Sequence, residues 1–231
     1  MLTNEPFRGD QKVGFSLLGK IEKRFIDSNW HRFPAWIETY HLTLTTIIWS
    51  LGIITCGYLA QFNHHWLWGS SLMIFLQWFT DAFDGAIGRN RKTGLIRWGY
   101  YMDHFLDYIF LCSILIGYAF IVNDQFNTQF FILAVFGGFM VNSYLAFAAN
   151  NEFKIEYLKI GPTEIRLIFI LINTAIIFFE KTHLAWTLPY VLIISLSGLI
   201  YTAYETQKRI WKKDMEIKKE TESLLGKQNT L

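Results

Sequence analysis

The sequence is short of charge, cysteine and proline, and each shortage excludes something. Charged residues make up 17% of the 231 positions, against about a quarter in an ordinary soluble domain. A water-soluble globule is therefore a poor description. The two cysteines, Cys56 and Cys112, both lie inside apolar blocks. That leaves no disulfide framework and no thiolate zinc site, and both read as small buried hydrophobes. Proline occurs four times, glycine is not enriched, and no repeat or low-complexity tract divides the chain. A net charge of +2 steers nothing and offers no footing for nucleic acid. Within the first 40 residues charges interrupt every apolar run, unlike a signal peptide.

What the sequence does have is apolar length. Hydrophobic residues reach 52% and gather in blocks of about 20, the number needed to span a bilayer. Six blocks stand out, near Leu42–Phe62, Trp66–Gly85, Gly99–Val122, Thr128–Ala149, Thr163–Phe179 and Leu184–Tyr204. Backbone groups in lipid must be bonded within their own segment, so each block reads as a helix. The expected fold is an all-α integral membrane protein with six transmembrane helices and an N-terminal interfacial amphipathic helix. That last element comes from Ser16–Trp36, where Leu17, Leu18, Ile21, Phe25 and Ile26 recur beside Lys20, Glu22, Lys23 and Arg24. Such spacing suits a helix lying in the membrane interface; a solvated helix packed on the loops is the alternative.

The chain divides accordingly into residues 1–40, an N-terminal segment with the interfacial helix, residues 41–205, the six-helix transmembrane domain, and residues 206–231, a polar tail. Of the 21 Lys and Arg residues, all but Lys181 fall in the N-terminal stretch, the second-to-third and fourth-to-fifth connections, the start of the fifth block or the tail. The positive-inside rule then puts both termini in the cytoplasm. A compact chain of this kind suits a bacterial inner membrane.

Four aspartates stand where charge is expensive. An Asp at the centre of a spanning helix costs about 2.5–3.5 kcal/mol on insertion scales, yet the second and third blocks carry Asp81, Asp84, Asp103 and Asp107. The spacings of three and four put each pair on one helix face. Consecutive helices joined by a short loop are neighbours, so all four carboxylates can converge. Their mutual repulsion needs relief, either by protonation of some or by cations. Two divalent cations cancel four carboxylates, and oxygen-only ligands favour Mg2+ or Mn2+ over zinc. A two-metal carboxylate site is the usual apparatus for phosphoryl chemistry. Wetted aspartates near a helix end explain one such residue more easily than two same-face pairs.

The surroundings extend the pattern. Gly85 and Gly88 share a face and Gly99 precedes Asp103 by one turn, making room for close approach of a ligand or of a neighbouring helix. Arg89 offers a cation for a diphosphate, whereas Arg91, Lys92 and Arg97 read as an ordinary basic loop. Asn142 and Asn173 read as hydrogen-bonding between helices. Gly161-Pro162-Thr163-Glu164-Ile165-Arg166 reads as a helix start, with Pro162 and Glu164 in the first turn. Glu164 and Arg166 serve either there as cap and positive-inside charge or at the entry of an acceptor head group.

Taken together, Asp81-x-x-Asp84-Gly85-x-x-Gly88-Arg89, nine residues, then Gly99-x-x-x-Asp103-x-x-x-Asp107 resembles the motif of the CDP-alcohol phosphatidyltransferase family, DxxDGxxAR, eight residues, GxxxDxxxD. Gly88 replaces the alanine, and the spacer is one residue longer, an insertion expected in the turn-like Thr93-Gly94. His41-Leu42-Thr43-Leu44 is similar to the segment that opens the first span there. The resemblance implies a phosphotransferase of phospholipid biosynthesis that moves a phospho-alcohol or phosphatidyl group from a CDP-alcohol to an acceptor hydroxyl, with CMP released. It implies that Asp81, Asp84 and Asp103 ligate two Mg2+ or Mn2+ ions, that Asp107 completes the second site and acts as general base, and that Gly85, Gly88, Gly99 and Arg89 accommodate the nucleotide. It also implies a CDP-alcohol donor, an alcohol or lipid acceptor and a homodimer. His104 after Asp103 is similar to the Asp-His pair of choline and ethanolamine phosphotransferases and makes it a candidate head-group contact. An Asp-rich membrane prenyltransferase and a divalent-cation-binding membrane protein without enzymatic activity are the alternative readings.

Overall fold

The structure, a computed structural model, describes residues 18–92, 95–150, 161–180 and 184–228. Among these the chain forms seven α-helices and no strand: α1 (Gly19–Asn29), α2 (Thr39–Ala60), α3 (Leu67–Arg91), α4 (Ile96–Ala119), α5 (Thr128–Asn150), α6 (Pro162–Phe179) and α7 (Leu184–Gln228). Several expectations lie outside the described residues: Ser16 and Leu17 of the amphipathic stretch, the Thr93-Gly94 turn, and the basic residues Arg8, Lys12, Lys154, Lys159 and Lys181.

Five helices, α2, α4, α5, α6 and α7, are long and apolar enough to cross a membrane, which marks a multi-pass membrane protein. The helix expected to be the second span, α3, is 25 residues long but more polar. Its Ser70, Ser71, Gln77, Thr80 and Asp84 are all buried, so the polarity faces protein. The outward faces of the other helices carry Ile48, Leu51, Leu171, Phe178 and Ile194, apolar side chains suited to lipid.

Boundaries shift in places that matter. Helix α3 continues six residues past Gly85, so Gly88, Arg89 and Arg91 are helical, and Lys92 closes it in the left-handed region with φ 58°. Helix α4 opens at Ile96, which puts Gly99 inside its first turn instead of at its start. Helix α6 begins at Pro162 behind Gly161, a helix start where the missing proline N–H costs nothing. Helix α7 is one helix of 45 residues, so the polar tail continues the last apolar block without a break.

Helix α2 packs along α3 and α4, α6 lies against α3, and α5 pairs with α7. Ile53, Ile74, Phe110, Ile114, Tyr118 and Ile176 form the main core. Where α2 crosses α4, a Cβ on Gly57 would lie 2.5 Å from the Cα of Gly117, so the two backbones touch through glycine. Cys56 is a free, buried thiol packed near Gly69. Asn173 on α6 donates from Nδ2 to Ser71 Oγ on α3 at 3.1 Å and accepts from the Tyr118 hydroxyl on α4 at 2.9 Å. This is the interhelical bonding expected of an amide inside a span.

A second, smaller core of Leu42, Phe83 and Ile87 gathers Ile26, Trp30, Phe33 and Ile37 and docks residues 26–37 on the bundle. Arg91 fastens this segment. Its Nη1 donates to the carbonyls of Ile37 (2.7 Å) and Ala35 (3.4 Å), and its Nη2 to those of Phe33 (2.7 Å) and Pro34 (3.1 Å). Arg91 is thus a tie between α3 and the approach to α2, not an ordinary loop cation. A planar fork of donors is what lets one side chain serve four carbonyls.

Candidate functional site

Helix periodicity brings Asp103 and Asp107 to one face of α4, and Asp81 joins them from α3, which like α4 packs along α2 instead of directly on its sequence neighbour. Carboxylate oxygens of Asp81, Asp103 and Asp107 lie within 4.8 Å of one another. These three side chains are partly exposed, Asp81 at 23%, Asp103 at 32% and Asp107 at 33%, so the cluster opens to the outside. Across the nine-residue spacer, Asp81 thus meets Asp103 and Asp107. Three anionic oxygen donors at this separation, with no sulfur or imidazole among them, are a donor set for a hard divalent cation.

The fourth aspartate is not one of the three whose oxygens lie within 4.8 Å of one another. Asp84 is buried, and its Oδ2 accepts from the hydroxyl of Thr43 on α2 at 2.7 Å. Thr43 belongs to the segment that opens the first span, and its hydroxyl gives that segment a physical link to the aspartate motif.

A cation already sits among the carboxylates. Arg166, on the second turn of α6 and 6% exposed, places Nη2 2.9 Å from Asp81 Oδ2 and 3.4 Å from Asp107 Oδ1. Its guanidinium carbon lies 5.6 Å from the centroid of the Phe110 ring. Burying an arginine is tolerable only with such partners. Of the two roles read for the Glu164–Arg166 pair, the structure divides them. Glu164 takes the capping role, its Oε2 accepting from Gly161 N–H at 2.9 Å, while Arg166 turns inward to the aspartates. The signal for Arg166 was present, since it is the one charged residue between Glu164 and Glu180 in an apolar block, where an ionised group needs a partner.

The remaining candidates distribute around this centre. A Cβ on Gly85 would meet Arg89 Nη1 at 3.0 Å, so the Arg89 side chain folds back over the glycine, with the residue itself exposed. Gly88 is buried within α3. Among the described residues nothing lies within 4 Å of a Cβ on Gly99, so no described helix packs on that glycine. His104 sits in an aromatic cluster at the α4–α5 contact, with ring centroids 4.3 Å from Tyr100 and 5.5 Å from Tyr144. Its Nδ1 is 3.6 Å from Asp103 Oδ2, and its carbonyl accepts from the Tyr144 hydroxyl at 3.0 Å.

A model of the family described as CDP-alcohol phosphatidyltransferase matches residues 38–201, a stretch that runs from the start of α2 into α7 and holds every residue of the cluster. Comparison with curated proteins finds no match.

Proposed function

The chain belongs to the CDP-alcohol phosphatidyltransferase family, and from that premise we propose that it transfers a phospho-alcohol or phosphatidyl group from a CDP-alcohol to an acceptor hydroxyl. The observation that carries the reading is the convergence of Asp81, Asp103 and Asp107 within 4.8 Å. The family is one of transferases of phospholipid biosynthesis, and its match displaces the Asp-rich prenyltransferase alternative.

The three carboxylates fit divalent cations, and we propose that Asp81, Asp103 and Asp107, with Asp84, hold two Mg2+ or Mn2+ ions. When bound, such ions withdraw charge from the donor diphosphate and the departing CMP oxygen. The chain's own residues do the rest. Asp107 takes the proton from the acceptor hydroxyl, a role that rests first on its position. The acceptor oxygen bonds to the β-phosphorus as the bond from that phosphorus to the bridging oxygen breaks, and CMP leaves with the electron pair. Arg166 holds Asp107 and Asp81 in place and tempers their repulsion. Arg89 contacts the diphosphate, and Gly85, Gly88 and Gly99 admit the nucleotide. His104 stands at the head-group end and favours a soluble CDP-linked head group passed to a lipid acceptor.

The architecture proposed with this chemistry has six spans and cytoplasmic termini, in a bacterial inner membrane and as a homodimer. Helix α3, second in chain order, brings the spans to six. The pairings of Arg166 with Asp81 and of Asn173 with Ser71 support this, because they run α3 antiparallel to α6 over residues 166–173. Helix α1 is the interfacial helix of the segment 1–40, preceding the catalytic unit 41–205 and the tail 206–231.

The test is CMP release by the purified protein in detergent with a panel of CDP-alcohols, with Mn2+ or Mg2+ and with EDTA. We expect metal-dependent CMP from at least one donor. No CMP from any donor sinks the transferase reading and leaves the cation-binding alternative.

A further inference from the structure

Helix α1 lies against both α3 and α6, and one half-buried side chain holds the two. Oε1 of Glu22 accepts from the indole N–H of Trp78 on α3 at 3.0 Å, and its Oε2 accepts from the hydroxyl of Thr163 on α6 at 2.9 Å. Trp78 precedes Asp81 by three residues, and Thr163 precedes Arg166 by three. Each contact is therefore about one helical turn from a member of the Arg166–Asp81 pair, on the same side of its helix. A second carboxylate strengthens the join. Glu164 Oε1 accepts from Leu18 N–H at the head of α1 at 2.9 Å, while its other oxygen caps α6. Phe25, one turn on from Glu22, stacks on Trp78 with ring centroids 6.3 Å apart.

We propose that Glu22 is a positioning residue for the transfer site: it sets the spacing of α3 and α6 so that Arg166 reaches Asp81 and Asp107 together. Hydrogen bonds to an ionised acceptor are shorter and stronger than neutral ones, and these two share one carboxylate, so they fix the distance between their donors. Nothing covalent joins α3 to α6 at this level, because α4 and α5 intervene in sequence. The cluster needs that constraint more than stability alone requires, since a misplacement of about 1 Å in a catalytic arrangement can cost about a hundredfold in rate. The inference rests on the transferase reading for its kinetic readout and on the carboxylate cluster for its binding readout.

The experiment compares wild type, Glu22→Ala, Glu22→Gln and Thr163→Val as full-length protein in detergent. Glu22→Ala is expected to lower kcat for CMP release about tenfold, with KM for the CDP-alcohol within about twofold, because the displaced group is in the chemistry and not in nucleotide binding. Glutamine keeps an oxygen for the indole and offers an N–H to Thr163, so Glu22→Gln recovers most of the rate. Thr163→Val, which deletes one contact without touching α1, lowers kcat in the same sense, and Glu22→Ala combined with Thr163→Val is no worse than Glu22→Ala alone. Wild-type kcat in Glu22→Ala and Thr163→Val, an effect on KM only, or no recovery by Glu22→Gln overturns the proposal. If wild type releases no CMP, the transferase reading has failed separately, and Mn2+ binding followed by EPR decides the positioning proposal. A severalfold change in Mn2+ affinity between wild type and Thr163→Val supports it, and equal affinities overturn it.

Discussion

Nη2 of Arg166 lies 2.9 Å from Oδ2 of Asp81, a residue 85 positions earlier in the chain, and 3.4 Å from Oδ1 of Asp107. One buried guanidinium thus ties the motif of α3 to that of α4 from a third helix that neither motif mentions. It also fixes what the loss of that charge should do.

Arg166→Gln removes the cation that lies between Asp81 and Asp107. Removing one partner of a buried pair costs about 3–5 kcal/mol, and the partial exposure of the carboxylates brings this down to about 2 kcal/mol. We expect a lower thermal midpoint in metal-free detergent solution and a partial recovery on adding Mn2+, because the cation relieves the same repulsion. An unchanged midpoint would show that the carboxylates do not depend on Arg166.

Asp107→Asn keeps the shape of the side chain and removes its basicity. CMP release should fall by at least a hundredfold, the lower end of what a positioned base contributes, while binding of the CDP-alcohol measured by titration stays within a few fold. Wild-type turnover in this variant would remove the base assignment.

Arg91→Ala deletes the tie to four carbonyls of residues 33–37. Hydrogen bonds from a charged donor are worth about 1.5–3 kcal/mol each at most, and water replaces part of that here, so a loss of about 2 kcal/mol is expected. Arg91→Lys should recover less than half of it, since an ammonium cannot fork. Thermal unfolding of the three proteins checks the order; equal midpoints for arginine and lysine would contradict the forked tie.

Gly57→Ala and Gly117→Ala separate two glycines that look alike in sequence. A Cβ on Gly57 would strike the Gly117 backbone at 2.5 and 2.7 Å, whereas a Cβ on Gly117 meets Ile53 at 3.5 Å and beyond. Overpacking costs about 1–3 kcal/mol, so Gly57→Ala should lower stability by that amount and Gly117→Ala by much less. Equal effects would mean that α2 and α4 can separate freely.

How far the sequence could be read varied with the kind of interaction. The apolar blocks marked α2, α5, α6 and the apolar part of α7 to within about three residues, because span length and internal hydrogen bonding are local demands. The ends of α3 and α4 moved because the charged residues after Gly85 and before Gly99 look like loop in composition, yet Arg89, Arg91 and Arg97 are good helix formers. Asp81, Asp103 and Asp107 were legible as candidates through their spacing within each helix. Asp84 was legible as a member of the motif, but not its bond to Thr43, 41 positions away. The basic residues near the site looked equivalent, yet Arg91 fastens a loop, Arg89 lies over Gly85 and Arg166 enters the cluster.

By itself, then, the sequence determined that the chain is helical and membrane-spanning, which faces of two consecutive helices carry carboxylates, and which family that pattern resembles. Each of these follows from period and length, properties of one segment at a time. Only the tertiary structure decided that three aspartates meet while Asp84 turns to Thr43, that Arg166 supplies the charge between them, and that Glu22 of α1 spans Trp78 and Thr163. Those outcomes depend on how far each helix is rotated and where it crosses its neighbours. No periodicity within a segment carries that information, because it is set by the packing of side chains 41 to 141 residues apart.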